Sequence, residues 1–125
     1  MKQLHETQHA WISDEDVERA LTFLRDKAPH IAVAKAELEK AKHMLKHIKA
    51  LVMSQHADLA VGAQEREAYA SDKYRDQVFK IGEATQQYEL LAAQREAAAT
   101  KITTWQTMNA NWRAMKKLQK KWTNI

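Results

Sequence analysis

Two histidine pairs are the first residues in this 125-residue chain whose types and spacing suggest chemistry. His5-Glu6-Thr7-Gln8-His9 fits the pattern H-E-x-x-H. On a helix, histidines at i and i+4 share a face and can both ligate zinc while the glutamate activates a water. No third ligand follows at the spacing of zinc proteases, so the string is expected to be a polar leader. His43 and His47 repeat the spacing, with Glu39 one turn earlier, but they stand among Lys40, Lys42 and Lys46. Positive charge opposes a divalent cation there, and a solvated helix face is the plainer reading. The serines are Ser13, Ser54 and Ser71, none in a glycine-flanked elbow, and there is no cysteine. No phosphate loop or dinucleotide fingerprint occurs. The expectation is a non-enzymatic protein with no metal and no cofactor.

The remaining chemistry is electrostatic. Residues 1–96 carry 14 Lys/Arg against 16 Asp/Glu, whereas residues 97–125 carry six cations and no acidic residue. Those six are Lys101, Arg113, Lys116, Lys117, Lys120 and Lys121, the candidate nucleic-acid-binding set. Trp105, Trp112 and Trp122 interleave with them. Lysines neutralise phosphates with release of counterions, and exposed indoles stack on unpaired bases. The other reading of the tryptophans is structural, since aromatics at helical spacing usually pack on a neighbouring helix or a second subunit. A basic amphipathic helix also suits an anionic membrane surface, but no membrane association is expected.

The elements that position these residues are helical. With 45% apolar residues, two glycines and one proline, the composition fits neither a disordered chain nor a turn-rich β or Rossmann-type fold. No apolar run approaches a membrane span, and Met1–Glu6 does not resemble a signal peptide. The chain is expected to be a single all-α domain. Residues 1–12 form a polar leader and 13–28 a first helix, opened by Ser13 as N-cap and buried through Val17, Ala20, Leu21, Leu24 and Ala28. Pro29 ends that helix or opens the next. The second helix spans 30–56, with Ile31, Leu38, Leu45 and Val52 on one row and Ala34, Ala41, Ile48 and Gln55 on the other, a coiled-coil-like stripe. Residues 57–71 form a turn region holding Gly62 and a short helical piece around 65–70.

The third helix, 72–122, starts after a second cap, Ser71. Its stripe is expected along Tyr74, Val78, Ile81, Thr85, Tyr88, Ala92, Arg95, Ala99 and Ile102, then Trp105, Met108, Trp112, Met115 and Trp122. Flanking charges suggest an antiparallel hairpin in which Lys42 faces Glu89 and Lys35 faces Glu96, both with index sums of 131. Thr85, Arg95 and Gln55 on the stripe, and the small core, point to assembly as an oligomer through the C-terminal tryptophans.

Gln64-Glu65-Arg66-Glu67-Ala68, Ser71, Tyr74, Tyr88, Arg95, Ile102-Thr103-Thr104-Trp105, Asn109, Asn111 and Arg113 together carry a resemblance. Over residues 17–113 the chain resembles short helical proteins encoded in the early regions of tailed phages and prophages, often near single-strand annealing recombinases. It departs from them in its Lys-rich extension after Arg113 and in Gln106, where an arginine is expected. The resemblance implies a setting in phage DNA metabolism, in the cytoplasm of a bacterial host. The expected role is an accessory DNA-binding protein of recombination or replication. The alternative is an adaptor or inhibitor docking on a phage or host protein through the hydrophobic C-terminal helix, without nucleic acid.

Overall fold

The computed structural model describes residues 12–123. These residues are all-α: α1 (Asp14–Ser54), α2 (Val61–Ala70) and α3 (Asp72–Thr123). Their packing falls into two compact units. One consists of the described residues up to Ala28 together with those from Ala93 on, and the other of Pro29–Ala92.

Both serine caps form. The Ser13 hydroxyl accepts the Asp16 backbone N–H at 3.1 Å, and the Asp16 carboxylate accepts the Ser13 N–H at 3.0 Å, so two orphan donors are satisfied reciprocally. Arg19 adds an ion pair to the same carboxylate. The Ser13 backbone donor, more than the ion pair, holds the Asp16 carboxyl below its ordinary value of 3.8. At the other junction the Ser71 hydroxyl donates to the Ala68 carbonyl at 2.7 Å and accepts the Tyr74 N–H at 3.2 Å. One side chain thus closes α2 and opens α3.

Pro29 neither ends nor opens a helix; it lies inside α1, which runs unbroken for 41 residues. Proline removes one donor from the ladder and crowds the preceding turn, at a cost of about 3 kcal/mol. Burial on both sides holds the helix through it: Val17 and Ala20 before, Ile31, Ala34 and Leu38 after. Gly62, expected in a turn, sits in the first turn of α2 with ordinary negative φ. The chain turns at 55–60 instead, where α1 tightens into short-range bonds, with His56 N–H donating to Met53 C=O at 3.0 Å and Leu59 N–H to His56 C=O at 2.9 Å.

In the 29–92 unit, Ile31, Ala34 and Leu91 form the buried cluster, with Tyr88 packed against it. The second-helix rows are placed as expected: Ile31, Ala34, Leu38 and Val52 are buried, Ala41, Leu45 and Ile48 half-buried, and only Gln55 is exposed. On α3, Tyr74, Ile81, Thr85, Tyr88, Ala92 and Ile102 lie on the packed face, but at 77/78 and 98/99 the second row is displaced by one residue. Gln77, Leu91 and Ala98 are buried, whereas Val78, Arg95 and Ala99 are exposed. Gln77 is buried because its amide donates to the Ala41 carbonyl at 3.0 Å.

That bond also corrects the register. A 131 register would set residue 41 opposite residue 90, yet Gln77 is there. Lys42 pairs with Glu39 on its own helix at 3.5 Å rather than with Glu89. Exposed ion pairs contribute about 0–1 kcal/mol, too little to set register against apolar burial. The α2 helix occupies the connection, with Ala68 wholly buried. Lys49 anchors it, donating to Tyr69 Oη at 2.9 Å and Glu65 at 3.3 Å. The Tyr69 hydrogen bond, then Glu65, raises the Lys49 pKa above 10.5. Its contribution is therefore complete below that pH and is lost as pH climbs through the folded value.

Two predictions follow from the helices. Gly82 lies inside α3 with ordinary φ, and an added Cβ there meets nothing within 4 Å. Gly82→Ala should stabilise the protein by about 0.5–1 kcal/mol in urea denaturation. Asp16→Ala, which removes the carboxylate held by the Ser13 backbone N–H, should lower the melting temperature at neutral pH. Because the cap depresses the Asp16 pKa, the difference from the parent should persist above pH 3.8 and shrink as pH falls through the folded value.

Candidate nucleic-acid interface

Within α3 the last quarter of the chain stays helical to Thr123, so side-chain directions there follow helical geometry. At 100° per residue, Arg113, Lys116, Lys117, Lys120 and Lys121 fall within an arc of about 140°. All five are exposed. Lys116, Lys117 and Lys120 line one shallow hollow with Gln119 and Thr123. Met108, Trp112, Met115, Leu118 and Trp122 occupy an arc of about 120° on the opposite side. The segment is thus a two-faced helix: one face cationic, the other apolar.

The sixth cation is set apart. Lys101 lies about 18 Å along the helix axis from Arg113. It lines a different hollow, with Ile12, Glu96 and Thr104, so a carboxylate shares its surroundings. No carboxylate occurs between residues 101 and 123 to offset the other five.

The three tryptophans have three different environments. Trp105 is half-buried, and its indole N–H donates to the Asp14 carboxylate at 3.1 Å. This ring packs within its unit as a structural contact, and its partner Asp14 lies in the first turn of α1. Nothing in the local sequence marks that pairing, because the two residues are 91 positions apart. Trp112 is half-buried, and the Lys116 ammonium stands 5.6 Å from its ring centroid, within cation–π range. Trp122 is 71% exposed, and Met115 and Leu118 beside it are also exposed.

The two histidine motifs divide. His43 and His47 are exposed on α1, and among the described residues no three His, Cys, Asp or Glu side chains gather where a metal could be held. His5-Glu6-Thr7-Gln8-His9 lies outside the described residues. Among those residues no helix is long and apolar enough to cross a membrane.

No protein-family model matches this chain, and no curated protein and no solved structure matches it either.

The tryptophans should respond unequally to truncation. Trp105→Ala removes half-buried area and a hydrogen bond and should destabilise the protein by about 1–3 kcal/mol. Trp122→Ala should change stability by less than about 0.5 kcal/mol. Thermal unfolding of the two variants followed by circular dichroism checks both.

Proposed function

We propose that the protein is a non-enzymatic nucleic-acid-binding accessory factor that engages DNA through the cationic face of α3. The observation that carries this reading is the arc of Arg113, Lys116, Lys117, Lys120 and Lys121, exposed together on a helix segment that holds no acid. They form three rungs about 6 Å apart along the axis, a spacing that lets successive phosphates be neutralised. Trp122, exposed at the end of the segment, is the ring available to stack on an unpaired base. Trp105 has a structural contact instead, so it leaves the stacking set. Lys101 contributes to the general field more than to direct contact. The phage recombination or replication setting rests on the sequence resemblance, as does a cytoplasmic location in the bacterial host. Self-association of the helix pair belongs to the same proposal, supported by a thin core in which, among the described residues, no large side chain is fully buried.

A second reading has its own observation. Met115, Leu118 and Trp122 form an exposed apolar face, suited to docking on a phage or host protein without nucleic acid.

Fluorescence anisotropy of labelled single- and double-stranded DNA across a salt series separates the two. Neutralising three to five phosphates should give a slope of log affinity against log salt of about −3 to −4.5 on duplex and about −2 to −3.5 on single strands. Replacing Lys116, Lys117, Lys120 and Lys121 with glutamine should bring that slope close to −1. Absence of binding to either strand form at low salt would sink the DNA reading. The docking reading requires a protein partner whose affinity survives salt and is lost on Trp122→Ala.

A further inference from the structure

The cationic arc and the exposed indole of the last α3 turns stand on opposite sides of one helix. At 100° per residue, the arc that runs from Lys116 through Lys120, Arg113 and Lys117 to Lys121 is centred about 170° away from Trp122. Within residues 113–123 that arc holds these cations and no other side chain. Trp122 is 71% exposed, with Met115 at 63% and Leu118 at 57% beside it. The other two tryptophans of α3 are engaged, Trp105 with Asp14 and Trp112 beneath the Lys116 ammonium. A ligand that uses both the phosphate-binding arc and the free aromatic face must therefore pass around the helix.

Duplex and single strand differ in whether they can do this. A duplex stays nearly straight over about 150 base pairs, whereas an α-helix is roughly 10–12 Å across, so a duplex meets one side of the helix only. Its bases are stacked on one another, and presenting a face to an indole requires extruding one of them. A single strand has neither constraint: its backbone turns easily, and its bases splay out to stack on aromatic side chains. The edge of the arc nearest to Trp122 is Lys121, the preceding residue. About 100° of turn separates the two, a path of roughly 10 Å around the helix surface. A phosphate held at Lys121 thus leaves a neighbouring base within reach of the indole. Leu118, one turn earlier on the same side, extends the apolar surface under that base.

We propose that the ligand of this helix is a single strand, with successive phosphates along the cationic arc and one base turned past Lys121 onto Trp122. The inference rests on the nucleic-acid reading above and adds to it the strand form and the course the strand takes. Charge complementarity selects a polyanion for the arc, and the free indole selects the polyanion whose bases are unpaired. Stacking is tolerant of base identity, so binding should depend little on sequence.

The test titrates the full chain, across a salt series, into a labelled oligothymidine strand, an abasic strand and a duplex, all of one length. The thymidine strand should bind tightest. Trp122→Ala should weaken that binding about 5- to 150-fold, and Trp122→Phe should recover most of the loss because a ring is kept. The salt slope should stay as it was, since no cation is removed. Neither the abasic strand nor the duplex should respond to Trp122→Ala, which ties the indole to a base rather than to the fold. Trp122 is exposed, so neither substitution threatens folding. Equal binding of strand and duplex, or a thymidine strand that responds to Trp122→Ala no more than the abasic one, overturns the single-strand inference and leaves the nucleic-acid reading standing. Absence of binding to all three at low salt overturns both.

Discussion

The constraint behind the structure is that helices of 41 and 52 residues have only a narrow apolar stripe each to bury. The stripe is two side chains wide and rich in alanine, and no side chain in it is wholly withdrawn from solvent at large volume. Such a seam yields little burial per residue, at about 25 cal/mol per Å². Stability therefore depends on continuity: each interruption has to be compensated locally. At Pro29 buried side chains on both sides carry the helix through. At Gln77 the compensation is a carbonyl for the buried amide. At the helix junction it is one serine hydroxyl that serves both ends.

The same narrowness shapes the candidate interface. A wide core would have absorbed the apolar face of the last α3 turns, but here Met115, Leu118 and Trp122 stay outside. The cations opposite them have no acid in their segment to offset them. The tryptophans show how little separates structure from function along one stripe. Trp105 is tied to Asp14, and Trp112 sits beneath a lysine ammonium. Trp122, ten residues further, is exposed. A periodic pattern thus runs from packed core to exposed surface, its phase shifting slightly past Ile102.

Much of this was legible in the sequence, for identifiable reasons. Helix type and the 31–52 rows of α1 follow from spacing that only a 3.6-residue period satisfies, and both serine caps from residue type, whereas Leu21 and Ala28, expected on the buried face before Pro29, are exposed. At Val78 the second α3 row was misplaced by one residue because Val78 is the better hydrophobe and Gln77 the buried one; sequence cannot see a carbonyl on another helix. The hairpin register failed for a related reason. Lys42 and Glu89 can face each other in principle, yet exposed charges are too weak to choose, and an intervening helix consumed the connection. The cationic segment was easier, since a run of lysines without acids needs no packing partner to be recognised. The Trp105–Asp14 pairing was not legible, because a hydrogen bond between residues so far apart leaves no local trace.

The continuity of α3 has a kinetic consequence. An isolated segment as short as residues 113–123 would be mostly coil in water, because starting a helix fixes several torsions before the first bond forms. Here the upstream turns have already met that nucleation step, so the terminal turns need only propagate, one hydrogen bond per residue. A ligand arriving at this end meets a surface whose cations are already spaced along a rod, with no folding transition to wait for. For the proposed nucleic-acid ligand, encounter would then be limited by diffusion and charge attraction, and release by how many of those cations must let go together.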